Sequence, residues 1–256
     1  MSGGWEELAD GVHQRSYESW NLNVGLVIGE ERALVVDTRA TPGEGRDLRD
    51  HVRELTDLDL VVVNSHAHRD HCSGNGAFPG TRMLAHSDAV ASMRADGVAA
   101  GVPGETVSSS ALVDLGGRSV SVGFHGRGHT RGDLVAEALG TGVVFAGDLV
   151  RGDRASWYGD AYPIEWPATL ARMLLVHETA TAWVPGHGPV MGRADLRQQA
   201  ALLGEVAGMI TQGWHAGAEP SDTAALLPLT PCNALHAAVR GYHELAVGRR
   251  VHTRAR

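Results

Sequence analysis

Short apolar runs alternate with amphipathic stretches up to residue 187, and the alternation stops there. Val24–Ile28 and Ala33–Val36 are β-branched runs joined by Gly29-Glu30-Glu31-Arg32 and predict a hairpin. Gly43–Leu55, after Pro42, carries apolar positions at helical spacing and predicts a helix. Leu60–Val63 is continuously apolar, the mark of a buried strand, and it runs directly into Asn64-Ser65-His66. Met83–Ala85 predicts a short strand and Ser87–Ala99 a helix capped by Ser87. A Gly/Pro/Ser-rich loop over 101–110 follows, then a strand at Val120–Phe124 and a second hairpin from Leu134–Ala138 and Val143–Ala146. Pro167–His177 predicts a helix with proline in its first turn, and Ala182–Val184 a last strand.

Beyond His187 the character changes. Arg193–Trp214 and Asn233–Ala246 read as amphipathic helices separated by a polar loop, and the sequence predicts no further strand. The expected organisation is an α/β domain over 1–192 with a helical extension over 193–256 packed on it. One internal echo is visible. Asn23–Asp37 and Asp133–Asp148 both read strand, turn, strand, Asp, as two half-domains of alternating β and α elements would.

Composition narrows the partners. With 43 % hydrophobic and 20 % charged residues over 256 positions, the chain can bury a sizeable core. The longest apolar runs fall well short of the roughly 18 residues of a membrane span, and Met1–Asp10 lacks a basic start with an apolar sequel, so a cytoplasmic protein is expected. A net charge of −8 disfavours nucleic acid, leaving a small molecule as the expected partner and a homo-oligomer open. Every basic residue is arginine, which excludes lysine chemistry. The two cysteines, Cys72 and Cys232, imply no disulfide framework.

The 14 histidines change the picture through their placement. His66-Ala67-His68-Arg69-Asp70-His71 gathers four ligand-type side chains in six residues, at the C-terminal end of a predicted strand. Open α/β sheets place their sites there. In extended chain His66 and His68 point the same way, and a turn would bring Asp70 and His71 round to a second position. Imidazole with carboxylate suits Zn²⁺, with iron or manganese as other ions this donor set accepts. His129, Asp148 and His187 each follow a glycine where a predicted strand gives way to a loop, and complete a candidate set of seven.

These motifs resemble the metallo-β-lactamase superfamily: HxHxDH at 66–71, then Gly128-His129-Thr130, Gly147-Asp148 and Pro185-Gly186-His187-Gly188, across roughly Val12 to Val190. The resemblance implies a four-layer αβ/βα sandwich with metals at one edge of two sheets. It implies two zinc ions, the first on His66, His68 and His129, the second on Asp70, His71 and His187, with Asp148 bridging them. A hydroxide held between the ions would then attack a carbonyl carbon, and Asp70 would orient it and carry a proton to the leaving group. Asp37 matches a buried acidic position whose carboxylate accepts hydrogen bonds from the HxHxDH loop.

Other candidates have plainer readings. His125 competes with His129, but Gly128 and Thr130 favour the latter. His86, His177, His215, His236 and His243 read as helix or surface residues, and Cys72 as a small packed side chain. The segment Arg151–Tyr162 is the candidate pocket wall, with Arg151, Trp157 and Tyr158 as substrate-binding candidates and Arg154 and Tyr162 beside them; Trp5 and Trp20 could share that edge. Within the family, Asp148 argues against the class B β-lactamases, and Arg151 stands where acyl-homoserine lactonases carry Tyr. Asp133 replaces the His that glyoxalase II enzymes show after Gly-His-Thr-x-Gly, and their Asn-Pro-Phe-Leu-Arg-like signature is missing. The expected activity is hydrolysis of an ester-like bond, thioester or lactone, in a small molecule. A β-lactam hydrolase and a mononuclear iron oxidoreductase of the persulfide dioxygenase kind are the alternatives.

Overall fold

The computed structural model describes residues 4–98, 100–152 and 156–254, with 249–254 by their backbone alone. β1 (Glu6–Ala9) and β2 (Val12–Tyr17) open the chain as an antiparallel pair that the apolar runs do not announce, because β1 begins with two glutamates and β2 carries four polar residues between Val12 and Tyr17. β2 pairs with β3 (Leu22–Ile28), and β3 forms the expected hairpin with β4 (Arg32–Val36). α1 (Pro42–Arg53) follows, its first turn closed by Thr41, whose hydroxyl oxygen accepts from Glu44 N at 3.2 Å. β5 (Asp59–Val63) lies parallel to β4 and leads to the single helical turn α2 (Arg69–Cys72). β6 (Arg82–His86), α3 (Ser87–Ala95) and β7 (Glu105–Val107) complete this half, with β5, β6 and β7 all parallel.

Two expectations are corrected here. The segment 101–110 is not all loop, since β7 pairs within it; three residues are too few to show a period of two. α3 ends at Ala95, not Ala99, and its cap is His86, whose Nδ1 accepts from Asp88 N at 3.2 Å. An acceptor one residue ahead of Ser87 takes a free N–H of the first turn, that of Asp88.

The second half begins as an antiparallel meander, β8 (Ser110–Asp114), β9 (Ser119–Phe124), β10 (Leu134–Ala138) and β11 (Val143–Arg151). α4 (Trp166–Val176) then returns the chain to β12 (Ala182–His187), parallel to β11. β3 and β12 touch through one residue pair, Leu22 with His187, so each half keeps its own sheet. The echo in the sequence is real at this level: β3–β4–α1–β5 and β10–β11–α4–β12 have the same order and the same pairing sense.

Alternation along each strand builds the layers. Leu34, Val36, Val61 and Val63 of the first half meet Val122, Leu134, Val143 and Phe145 of the second in one buried cluster between the sheets. Their neighbours Ala33, Val35 and Val62 face out and are covered by Leu48 and Val52 of α1. Val144 and Ala146 likewise face out and are covered by Leu170 and Met173 of α4. The result is helix, sheet, sheet, helix. The chain ends in α5 (Arg193–Ala216), α6 (Pro220–Ala224) and α7 (Pro231–Arg254), and no strand follows β12 among the described residues. Leu196, Leu203, Val206 and Ile210 of α5 and Ala237 and Ala238 of α7 share the cluster of Trp166 and Met173, so this segment completes the outer core of the second half. No helix of the described residues is long and apolar enough to cross a membrane.

Candidate metal centre

Strands β4, β5, β11 and β12, the turn α2 and the loop before β10 meet at one edge of the two sheets and deliver the ligand-type side chains. β4 ends in Asp37, buried and with φ 68°. A non-glycine residue in this region is strained and needs its surroundings to hold it. Here the carboxylate does so, accepting from Ser65 N, Ser65 Oγ and His71 Nδ1, each at 2.7 Å. β5 brings Ser65 and His66. Asn64 and Asn75 tie the loop together behind them, with Asn75 Nδ2 donating to Asn64 Oδ1 at 2.7 Å. α2 supplies the turn that carries Asp70 and His71 round to the far side of His66. His129 comes from the loop before β10, Asp148 from the bulged end of β11, and His187 from the last residue of β12.

All seven candidate ligands converge. The ligand atoms of His66, His68 and His129 lie within 4.8 Å of one another, as do those of His66, His71 and Asp148, and those of Asp70, His71 and His187. Hydrogen bonds on the outer ring nitrogens set which nitrogen faces inward. Ser65 Oγ spends its proton on Asp37, so at 3.0 Å it can only accept from His66 Nδ1. His71 Nδ1 donates to Asp37, and His187 Nδ1 donates to the Trp20 carbonyl at 2.7 Å. Three Nε2 lone pairs are therefore left pointing into the centre. His68 is turned the other way. Its Nδ1 lies 3.0 Å from His66 Nε2 and 2.9 Å from His129 Nε2, while its Nε2 faces Asp160.

Asp148 lies between the two groups. Its Oδ1 is 3.4 Å from both His71 Nε2 and His187 Nε2, and its Oδ2 is 3.5 Å from His129 Nε2 and accepts from Arg151 Nη1 at 2.8 Å. Oδ1 is fully buried and has no hydrogen-bond donor. A buried carboxylate oxygen among imidazole lone pairs is costly unless a cation joins them. The donor set thus fits divalent metal. Burial drives the His129 imidazole down to about 3 and the His66 imidazole well below its ordinary range, so both stay neutral. Burial would raise the Asp148 carboxyl, but its interactions with the imidazoles around it, His71 first and then His129 and His187, outweigh burial and keep it ionised, well below the ordinary carboxyl range.

A cavity of about 460 Å³ opens over this edge, walled by Trp20, Trp157, Arg151 and Asn233, with Asp70 at its floor. Three readings of the wall need correction. Tyr158 is buried at 1 % exposure and packs on Trp166 in the core. Tyr162 lies beneath Arg127, 4.4 Å from the ring centre, outside this cavity. Trp5 is remote and donates to the His51 carbonyl at 2.9 Å. Arg151 does line the cavity, but its Nη1 is committed to Asp148. Arg154 lies outside the described residues.

The other histidines are elsewhere. His125 and His177 bond each other at 3.0 Å, His177 being buried on Glu137 rather than at the surface. His86 is also buried, stacked on Phe124. His215 and His243 are exposed, and the His236 ring packs 6.4 Å from that of Trp157. Cys72 is buried with its Sγ on the Ala67 carbonyl, outside the ligand set. Sequence reasoning missed Asp160 and Asn233. Neither sits in a motif: Asn233 arrives on the distant helix α7, and Asp160 on an irregular segment that α7 backs.

The similarities of the chain agree with this geometry. A family model described as the metallo-beta-lactamase superfamily matches residues 20–201. The chain is 28 % identical over 184 residues to the metallo-beta-lactamase type 2 of Bacillus sp. (strain 170), covering 70 % of this chain and 72 % of that protein. It is 26 % identical over 231 residues to the acyl-coenzyme A thioesterase MBLAC2 of Gallus gallus, covering 74 % and 81 % respectively. The solved metallo-beta-lactamase from Pontibacter korlensis shares the fold at a TM-score of 0.72 and 22 % identity, over 80 % of this chain and 99 % of that one.

Proposed function

The chain belongs to the metallo-beta-lactamase superfamily, and from that premise we propose that it is a two-metal hydrolase, zinc preferred, cleaving a thioester or lactone in a small molecule. The observation that carries this reading is Asp148, with one buried oxygen turned to His71 and His187 and the other to His129. His66, His68 and His129 would hold one ion, and Asp70, His71 and His187 the other. Bound there, the metals supply a water acidified to a pKa of about 7 and a Lewis acid for the carbonyl oxygen.

The rest is the work of side chains. Asp70 is part-exposed at the cavity floor, its carboxyl pushed up by burial but pulled down further by His187 and His71, to about 2. It is an ionised acceptor at the right edge to orient a water and pass its proton to a leaving group. Trp20 and Trp157 offer apolar faces to an acyl body. The cavity suits a small ligand, in the range of about 300–1,000 Å³ usual for such sites. The resemblance to a thioesterase over 81 % of its length supports the thioester reading. The resemblance to type 2 metallo-beta-lactamases supports a second one, a β-lactam substrate. An iron oxidoreductase using two His and one Asp would leave the remaining ligand-type side chains without a role.

The test is elemental analysis of zinc-reconstituted protein alongside a screen of thioesters, lactones and β-lactams. Two zinc ions per chain with thioester or lactone turnover are expected. One ion or none would sink the two-metal reading, and rapid β-lactam turnover alone would replace the substrate class.

A further inference from the structure

His68 differs from the other imidazoles in two ways. Its side chain is 25 % exposed where those of His66, His71, His129 and His187 are buried, and it turns Nδ1 rather than Nε2 into the centre. Packing alone therefore does not fix its ring. Both carboxylate oxygens of Asp160 lie 3.1 Å from its Nε2. A carboxylate there accepts the Nε2 proton and leaves Nδ1 bare, facing His66 and His129.

Asp160 stands on the segment 156–161, which has no regular structure of its own, and one face of α7 clamps that segment throughout. Asn233 Nδ2 donates to the Ser156 carbonyl at 2.9 Å, and its Oδ1 accepts from Tyr158 N at 3.3 Å. His236 packs edge-on against Trp157. Arg240 donates through Nη2 to the Asp160 carbonyl at 2.8 Å and through Nε to the Ala161 carbonyl at 2.9 Å. Positions 233, 236 and 240 are spaced i, i+3, i+7 and so share one helical stripe. The far end of the segment is tied to the His129 loop, where Tyr162 N donates to the Gly128 carbonyl at 2.8 Å.

We propose that Asp160 is the positioning residue of His68, and that the Asn233–His236–Arg240 face of α7 holds Asp160 in place, so that the C-terminal helix sets the metal affinity of the His66–His68–His129 group. The affinity part rests on the two-metal reading above; the orientation of the ring does not. Two measurements separate them. In metal-free protein at pH 8, proton–nitrogen correlation spectra of the His68 ring are expected to show a protonated Nε2 and a bare Nδ1. Asp160→Ala should mix the two tautomers, and Asp160→Asn, whose amide oxygen still accepts, should restore the wild-type pattern. In chelator competition with zinc, Asp160→Ala should weaken one of two sites by about 10–100-fold, and Arg240→Ala should weaken the same site by less. A wild-type protein that takes up no zinc would end the metal reading while the tautomer still decides the role of Asp160. An unchanged tautomer in Asp160→Ala would overturn that role. A normal Asp160 effect with an inert Arg240→Ala would overturn the part given to α7.

Discussion

Gly186 shows how little room the centre leaves. A Cβ on it would collide with Asp148 Oδ1 and come within 2.9 Å of His71 Cε1. Gly186→Ala should therefore fold, since the clash is local, but lose at least one metal equivalent by elemental analysis. Asp148→Ala removes both carboxylate oxygens from between the two groups and is expected to cut turnover by more than about 100-fold, on the scale of losing a main electrostatic stabiliser; a variant that kept both ions and full rate would refute the bridging role. Asp37→Ala acts otherwise. It strands three buried donors at about 1–3 kcal/mol each, so a lower melting temperature should accompany its weaker metal binding. Arg151 also changes meaning. Its Nη1 is committed to Asp148, so Arg151→Ala should slow anionic and neutral thioesters alike in a kinetic comparison. A selective loss on the anionic substrate would instead restore the expected carboxylate fork.

At the scale of elements, stability and chemistry separate cleanly in one helix and not in another. α1 covers the sheet, lines no part of the cavity, and is closed by Thr41, which both accepts from Glu44 N and donates to Glu44 Oε2 at 3.0 Å. Thr41→Ala should cost about 1 kcal/mol in denaturant unfolding with no change in turnover. α5 and α7 allow no such separation. Their Leu196, Leu203, Val206, Ile210, Ala237 and Ala238 share a core with Trp166, Leu170 and Met173, and α7 brings Asn233 to the cavity. A chain cut after Gly192 would expose that apolar face and is expected to be insoluble or unfolded; a soluble, active fragment would show the helices to be dispensable.

At the scale of the whole molecule, a pH dependence away from the metal centre belongs to Glu244. Glu244 of α7 accepts from Ile164 N at 3.1 Å, while its Oε2 is buried without a donor. Burial, aided by the charge of Glu165, pushes its carboxyl up from the ordinary 4.5 to about 7. The folded protein then holds a proton that the unfolded chain releases, so this group's contribution to stability is lost as pH rises from about 4.5 through about 7. Glu244→Gln keeps the bond from Ile164 and removes the charge. Thermal melts should show it more stable than wild type at pH 8 and equal to it near pH 4. Equal melting at both would assign the proton elsewhere.

Much of this was legible in the chain. The hairpin at residues 24–36, the strand running into His66, the helix after Pro42 and the strand-free end beyond His187 follow from periodicity, which is a local property. The seven ligand-type residues were legible because each stands at a strand end beside a glycine or in the HxHxDH run. What stayed hidden depends on pairing or packing at long range. β1 and β7 are short strands on sheet edges, where pairing rather than alternation makes the strand. Tyr158 and Trp157 are adjacent in sequence, yet one is core and the other cavity wall, because an irregular segment has no period to tell its two sides apart. Asp160 meets His68 across 92 positions, on an irregular segment that α7 backs through Arg240. Sequence determined which residues have the chemistry; the tertiary structure decided which nitrogen of each imidazole faces the centre, since that is set by partners the chain brings from elsewhere.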